Sequence, residues 1–311
     1  MITRLRVADH GLRILTIFLI GLSAACEPER DSKTTRETAR PTVYTTFYPT
    51  QYFTERIAGN LVDVRCPVPA DADALFWKPD TQTIQELQAA DLIVLNGANL
   101  EKWIDTVTLP KHRIVDTTAG LSAEFIEMEK TTHSHGPAGD HSHEGTDSHT
   151  WIDPINAIAQ ARAIEVALVK HFPTHASRFR SGAAALLSDL ESLDAILREL
   201  GKPARPLLAS HPAYNYVGRR YGWELINLDL DPEVLPQDEV LADIRRKSEK
   251  NQATHILWES APASDVARAL ENIGLTNVEF SPCELPENSS PDQNYLSVMR
   301  ENLERLRPAF K

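Results

Sequence analysis

The sequence predicts an α/β protein of two lobes, each a roughly four-stranded parallel sheet with flanking helices, the two joined by a long connecting helix. Three observations carry that expectation. Short β-branched or aliphatic runs alternate with helical periods from Thr42 onward, a long amphipathic stretch up to Leu200 interrupts them, and the alternation then restarts. With 311 residues, 42% of them hydrophobic, the chain has enough apolar side chains for two lobes with separate cores.

Arg4, Arg6 and Arg13 precede an apolar run over residues 14–22 and then Ser23-Ala24-Ala25-Cys26. This order reads as a signal peptide over residues 1–25, because the run is shorter than the ~20 residues a spanning helix needs. The small residues before Cys26 resemble a bacterial lipobox, making Cys26 the expected lipidation site and first mature residue. Ser23 stands where that pattern usually has leucine, and Ser23-Ala24-Ala25 would also suit ordinary signal peptidase. Residues 26–41 are polar and charged and read as a tether.

The first lobe is expected over 42–172. Residues 43–47 read as a strand, followed by a helix through Arg56-Ile57-Ala58 that Gly59 ends. A second apolar run covers 61–64, a helix 81–89, and a buried strand 91–95 closed by Asn96-Gly97. A helix at 100–107 and a strand at 113–115 complete that set. The connecting helix is placed at 173–202, where Leu186, Leu187, Leu190, Leu193, Ile196 and Leu197 sustain a helical period. In the second lobe, 203–311, strand signals at 206–209, 224–228, 255–258 and 278–280 alternate with helices near 213–220, 238–251, 264–273 and 292–306.

The net charge of -12, from 44 acidic against 32 basic residues, and the lack of a basic cluster in the mature chain exclude the footprint that nucleic-acid binding requires. Beyond Cys26 only Cys66 and Cys283 remain, too few for a disulfide framework, and single buried cysteines are expected.

In open parallel sheets ligands bind beyond the carboxyl ends of the strands. That rule selects Ser210-His211-Pro212, Glu259-Ser260, Ser281-Pro282-Cys283 and the loop over residues 66–78. A lone histidine such as His211 is more often structural; His149 changes the balance. It ends a segment, 131–149, that also holds His133, His135, His141 and His143 among Asp140, Glu144 and Asp147. Imidazole with carboxylate suits zinc, and more carboxylate suits manganese. The segment is rich in Gly, Ser and acids and lacks aliphatic residues, so it reads as a mobile loop without a core. Its two His-x-His pairs are either weak auxiliary metal positions or part of a solvated loop. Asp153 as helix cap, Pro154 at the first helical position and Trp151 as apolar anchor would fix His149 at the loop's edge.

From about Thr42 to Leu306 the chain resembles the zinc/manganese solute-binding proteins of ABC importers, a family of exported or lipidated receptors. Residues 147–154 are similar to the family's D-P-H-x-W-x-D-P with His149 in the ligand place, and Ser210-His211-Pro212-Ala213-Tyr214-Asn215-Tyr216 to its S-H-x-A-F-x-Y. Residues 79–103 and the segments around Tyr295 and Asn302 add to the likeness. The resemblance implies an extracytoplasmic receptor, in the periplasm or cell envelope, that captures Zn2+, with Mn2+ second, in a cleft between lobes. It would deliver the metal to an importer's membrane permease without breaking a bond. Two places depart from the pattern: Leu75 stands where the family has its first histidine, and Ser281 where it has a final aspartate. His149 and His211 therefore need other donors. Glu259 is the first candidate, its alternative role being a helix-capping carboxylate. Asp73, Cys66, Cys283, a loop histidine or water come after it. A degenerate relative that binds another ligand or a protein is the first rival function, for which Leu75 and Ser281 speak. An exported zinc hydrolase is the second, against which stands the lack of H-E-x-x-H spacing.

Overall fold

In the computed structural model, residues 40–69, 72–134, 140–286 and 293–311 are described, with side chains omitted over 129–144. The expected signal peptide, Cys26, almost all of the tether and His135 lie outside the described residues. Among the described residues no helix is long and apolar enough to cross a membrane.

Two four-stranded parallel sheets form the frame. The first, in order β2-β1-β3-β4, joins β1 (Thr42–Thr45), β2 (Asp63–Arg65), β3 (Leu92–Leu95) and β4 (Ile114–Asp116). The second, in order β10-β9-β7-β8, joins β7 (Leu207–Ala209), β8 (Leu225–Asn227), β9 (His255–Trp258) and β10 (Thr276–Glu279). All pairs within both sheets are parallel, so each needs a crossover. Helices α1 (Tyr48–Ala58), α2 (Thr81–Ala89), α5 (Asn215–Tyr221), α6 (Asp238–Asn251) and α7 (Ser264–Asn272) lie between successive strands. Every side chain of β3 is buried, as an inner strand covered on both faces requires.

Alternate residues divide the packing. Val43, Leu92 and Val94 face one way with Leu207, Ala209 and Leu257 of the second sheet, in a single cluster. Tyr44, Ile93 and Leu95 face the other way, as do Leu208, Ile256 and Trp258, each set with its own smaller cluster. The main cluster takes in Ile164 and Leu168 of α3 (Pro154–His171), Leu190 and Leu197 of α4 (Ala176–Leu200), and Leu303 of α8 (Tyr295–Leu306). The expectation of two separate cores is thus corrected: two helices of the chain's middle fill the space that both sheets share. Helix α4 packs on α1, α3 and α8. Its Gly182 permits the crossing with α1, since a Cβ there would lie 2.4 Å from the Ile57 carbonyl oxygen.

The strand expected at 61–64 falls at Asp63–Arg65, and the helix expected at 100–107 is a short 3-10 turn, Lys102–Thr106. Helix α8 begins only at Tyr295, where Asn294 accepts from the Leu296 and Ser297 amides and caps it. The segment read as a mobile loop without a core pairs its backbone as an antiparallel hairpin, β5 (Glu127–Ser134) with β6 (Asp140–Thr146). Such pairing satisfies backbone groups without any apolar core, which is why side-chain polarity did not forbid it. The register sets His133 opposite His141 and Thr131 opposite His143.

Candidate metal centre

The carboxyl ends of the strands of both sheets contribute to one cavity of about 120 Å³. Phe47 follows β1, Leu100 follows β3, His211 follows β7 and Glu259 follows β9, and all four line it. His149 reaches it from the segment between β6 and α3, and Glu284 from the segment after β10.

His149 is held from behind. The Asp147 carboxylate Oδ1 accepts from the His149 ring Nδ1 at 2.8 Å and from its backbone amide at 2.9 Å. With Nδ1 donating, Nε2 is the nitrogen left for a metal. Asp147 is itself fixed by the second half of the chain: Asn215 Nδ2 donates to its Oδ2 at 3.0 Å and the Tyr216 hydroxyl to its backbone oxygen at 2.8 Å. The expected anchor two residues after His149 is present, for Trp151 is fully buried and stacks edge-on against Phe47 at 4.4 Å between ring centroids. Asp153 caps α3 by accepting from the Ile155 amide, and Arg220 donates to its other oxygen.

The chemistry lies in two imidazole–carboxylate pairs. His149 Nε2 stands 3.4 Å from Glu284 Oε1, and His211 Nε2 stands 3.4 Å from Glu259 Oε1. The two rings are 5.5 Å apart between centroids. Burial disfavours a charged His149, but the hydrogen bond and charge of Asp147, with Glu284 behind them, outweigh it and push its pKa up to about 10. Burial raises Glu259, Glu284 adds to this by repulsion while His149 opposes it, and the carboxyl is pushed up to about 8. Two neutral imidazole nitrogens and two carboxylates make a donor set with the number, type and charge that a divalent transition metal takes. Among the described residues no three His, Cys, Asp or Glu side chains form a ready-made cluster; the donors stand as two pairs facing across the cavity.

The structure thus brings together His149, His211 and Glu259. Glu259 does not cap a helix: the N-cap of the next helix, α7, is Ala263. Leu75 lines the cavity where a histidine was expected, and Asp73 lines it too while accepting from the Leu75 amide at 2.8 Å. Cys66 and Cys283 form no disulfide and neither lines this cavity. His133, His141 and His143 occupy hairpin positions whose side chains lie outside the described set.

Glu284 is the residue that sequence reasoning missed. Ser281, at the expected ligand place, instead builds the turn: its Oγ accepts from the Cys283 amide at 3.1 Å, and its backbone is gripped on both sides by Asn302, at 3.0 and 2.7 Å. Trp151 Nε1 donates to the Pro282 carbonyl at 2.7 Å. Cys283 then adopts a left-handed φ of 59°, and the chain delivers Glu284 to the cavity. An acid three residues beyond Ser281 was the one available signal.

Residues 43–309 match the family described as zinc-uptake complex component A, periplasmic (ZnuA). The zinc-binding lipoprotein AdcA of Streptococcus pneumoniae (strain ATCC BAA-255 / R6) is 29% identical over 266 residues, covering 82% of this chain and 53% of that protein. The chain therefore spans about half the length of that curated relative. The high-affinity zinc uptake system protein ZnuA of Bacillus subtilis (strain 168) is 26% identical over 268 residues, 83% of this chain and 84% of that protein. The crystal structure of the Zn(II)-bound ZnuA-like domain of S. pneumoniae AdcA aligns with a TM-score of 0.75 at 25% identity, covering 88% and 99% of the two chains. That of the metal-dependent lipoprotein YcdH of B. subtilis aligns at 0.76 and 24%, covering 87% and 99%, a likeness of fold. With the match running from the first strand to the last turn, the chain belongs to the zinc-uptake complex component A (ZnuA) family.

Proposed function

We propose that this chain is an extracytoplasmic receptor that captures Zn2+, with Mn2+ as the lesser cargo, between His149, His211, Glu259 and Glu284, and delivers it to the membrane permease of an ABC importer. The observation that carries this reading is the pair of imidazole–carboxylate couples at 3.4 Å, facing each other across one cavity at the strand ends. Glu259 replaces the donor lost at Leu75, and Glu284 takes the part expected at the place of Ser281. The relatives' names, zinc-binding lipoprotein and high-affinity zinc uptake system protein, support zinc as cargo. In this reading residues 42–172 and 203–311 act as lobes around the cavity with 173–202 connecting them, and Cys26 carries a lipid anchor after removal of residues 1–25. His133, His135, His141 and His143 serve as auxiliary, weaker positions; the hairpin register supports this by setting His133 opposite His141.

Zinc titration calorimetry with the purified protein tests the reading. One tight equivalent is expected, lost on joint His149→Ala and His211→Ala substitution; tight binding that survives both changes would sink the assignment. Removal of residues 133–143 is expected to spare that equivalent and abolish only the weaker ones.

A further inference from the structure

Among the described residues four large apolar side chains stand exposed, and three of them fall within one seven-residue segment: Val234 at 53%, Leu235 at 49% and Val240 at 41%. This segment runs from the β8–α6 connection into the first turn of α6, at the carboxyl end of the second sheet, the same edge that presents His211 and Glu259. The backbone ties it to both. Leu230 N donates to Ser210 O at 3.1 Å, the residue before His211, and Ala263 N donates to Pro232 O at 2.8 Å, four residues after Glu259. The apolar group therefore stands at the same sheet edge as the cavity, tied to the segments that carry His211 and Glu259, and its three side chains neither line the cavity nor join a core cluster.

Its electrostatic setting is one-sided. From residue 221 to 244 there is no Lys or Arg and there are seven Asp or Glu. Glu233, Asp238 and Glu239 are exposed and take part in no ion pair among the described residues. Apolar anchors ringed by unneutralised charge of one sign are the anatomy of a transient protein interface, in which the anchors supply affinity and the charges supply rate and orientation. A second copy would bring like charges together, and an anionic lipid surface would be repelled. A protein that receives cargo from this cavity must touch its rim.

We propose that Val234, Leu235 and Val240, within their acidic collar, are the surface on which the importer's permease seats, through a basic extracytoplasmic segment with apolar side chains at its tip. This rests on the receptor reading above. All three side chains lie outside the core clusters, so their replacement leaves the fold and the metal site intact.

The test uses the zinc-loaded protein with its cognate permease complex in nanodiscs, reading stimulated ATP hydrolysis against receptor concentration. The variants are Val234→Ser/Leu235→Ser/Val240→Ser and, separately, Asp238→Lys/Glu239→Lys. Zinc calorimetry and sedimentation are run on each. Expected are unchanged zinc affinity, a half-maximal concentration raised about tenfold or more by the serine variant, and a loss in the lysine variant that is largest at low salt. Wild-type stimulation by the serine variant would overturn the proposal while leaving the receptor reading in place. Failure of the unaltered protein to stimulate at all would overturn the receptor reading itself. A wild-type dimer that the serine variant dissociates would assign the face to self-association and overturn the proposal.

Discussion

His149 binds its competitor, the proton, more tightly than a free imidazole does. An unperturbed histidine would confine proton competition to the region near pH ~6.5. Burial works against the charged ring here, yet Asp147 and Glu284 together raise it to about 10, and burial with Glu284 raises Glu259 to about 8. Both groups therefore hold protons at neutral pH, and in the proposed site zinc would have to displace them. The sign follows: affinity falls as pH falls, by roughly a hundredfold per unit below about 8, where two protons leave, and by roughly tenfold per unit from there to about 10, where one leaves. Calorimetry at pH 7 in buffers of different ionisation heat is expected to report about two protons released per zinc; no release would contradict the arrangement. The convergence of His149, His211 and Glu259 on one cavity was legible in the sequence because each lies within a few residues of a strand end or a helix cap. Glu284 was not, because its place depends on the left-handed Cys283 and on the grip of Asn302 on Ser281, contacts that no local pattern encodes.

Helix α4 shows what periodicity reveals and what it hides. Its leucines announced a long amphipathic helix, and Leu186, Leu190, Leu193 and Leu197 are buried as that period requires. Gly182 in the same helix looks like a weakness on propensity grounds, where alanine would gain about 1 kcal/mol. The crossing with α1 reverses the sign. An added Cβ would meet the Ile57 carbonyl oxygen at 2.4 Å and the Arg56 carbonyl oxygen at 3.0 Å, and helix backbone yields less readily than a side chain. Overpacking of this kind costs about 1–3 kcal/mol, so Gly182→Ala is expected to destabilise by up to about 2 kcal/mol net. Urea unfolding measures it; a gain in stability would show that the two helices can separate freely. The inner strands β1, β3, β7 and β9 were equally legible, since β-branched and aliphatic runs between turn residues have few other uses. The β5–β6 hairpin was not, because its pairing is made by backbone groups under a polar, histidine-rich sequence.

At the scale of the molecule, residues 40–311 form one compact unit, and a single apolar cluster runs from Val43 and Phe53 through α3 and α4 to Leu257 and Tyr295. Polar contacts cross the same boundary: Trp151 donates to Pro282 O, the Tyr295 hydroxyl to Trp151 O at 2.5 Å, and Tyr216 to Asp147 O. A length and an apolar fraction could suggest two lobes but could not reveal that their cores are continuous, because that depends on which faces of α3 and α4 meet which sheet. Shared packing couples the halves thermodynamically: neither can open without exposing side chains of the other. Unfolding is therefore expected as one calorimetric transition whose van't Hoff and calorimetric enthalpies agree. The proposed metal site would draw its four donors from segments before α3, after β7, after β9 and after β10, so zinc held there would bind the folded state of the whole unit. Free zinc at a thousand times its dissociation constant adds about 4 kcal/mol to that state. At about 2 °C per kcal/mol for a unit of this size, the single transition should move up by about 8 °C. The same addition to the His149→Ala/His211→Ala protein should leave it in place. Two transitions, of which zinc moved only one, would mean that the halves fold independently and that the donors of one half suffice to hold the metal.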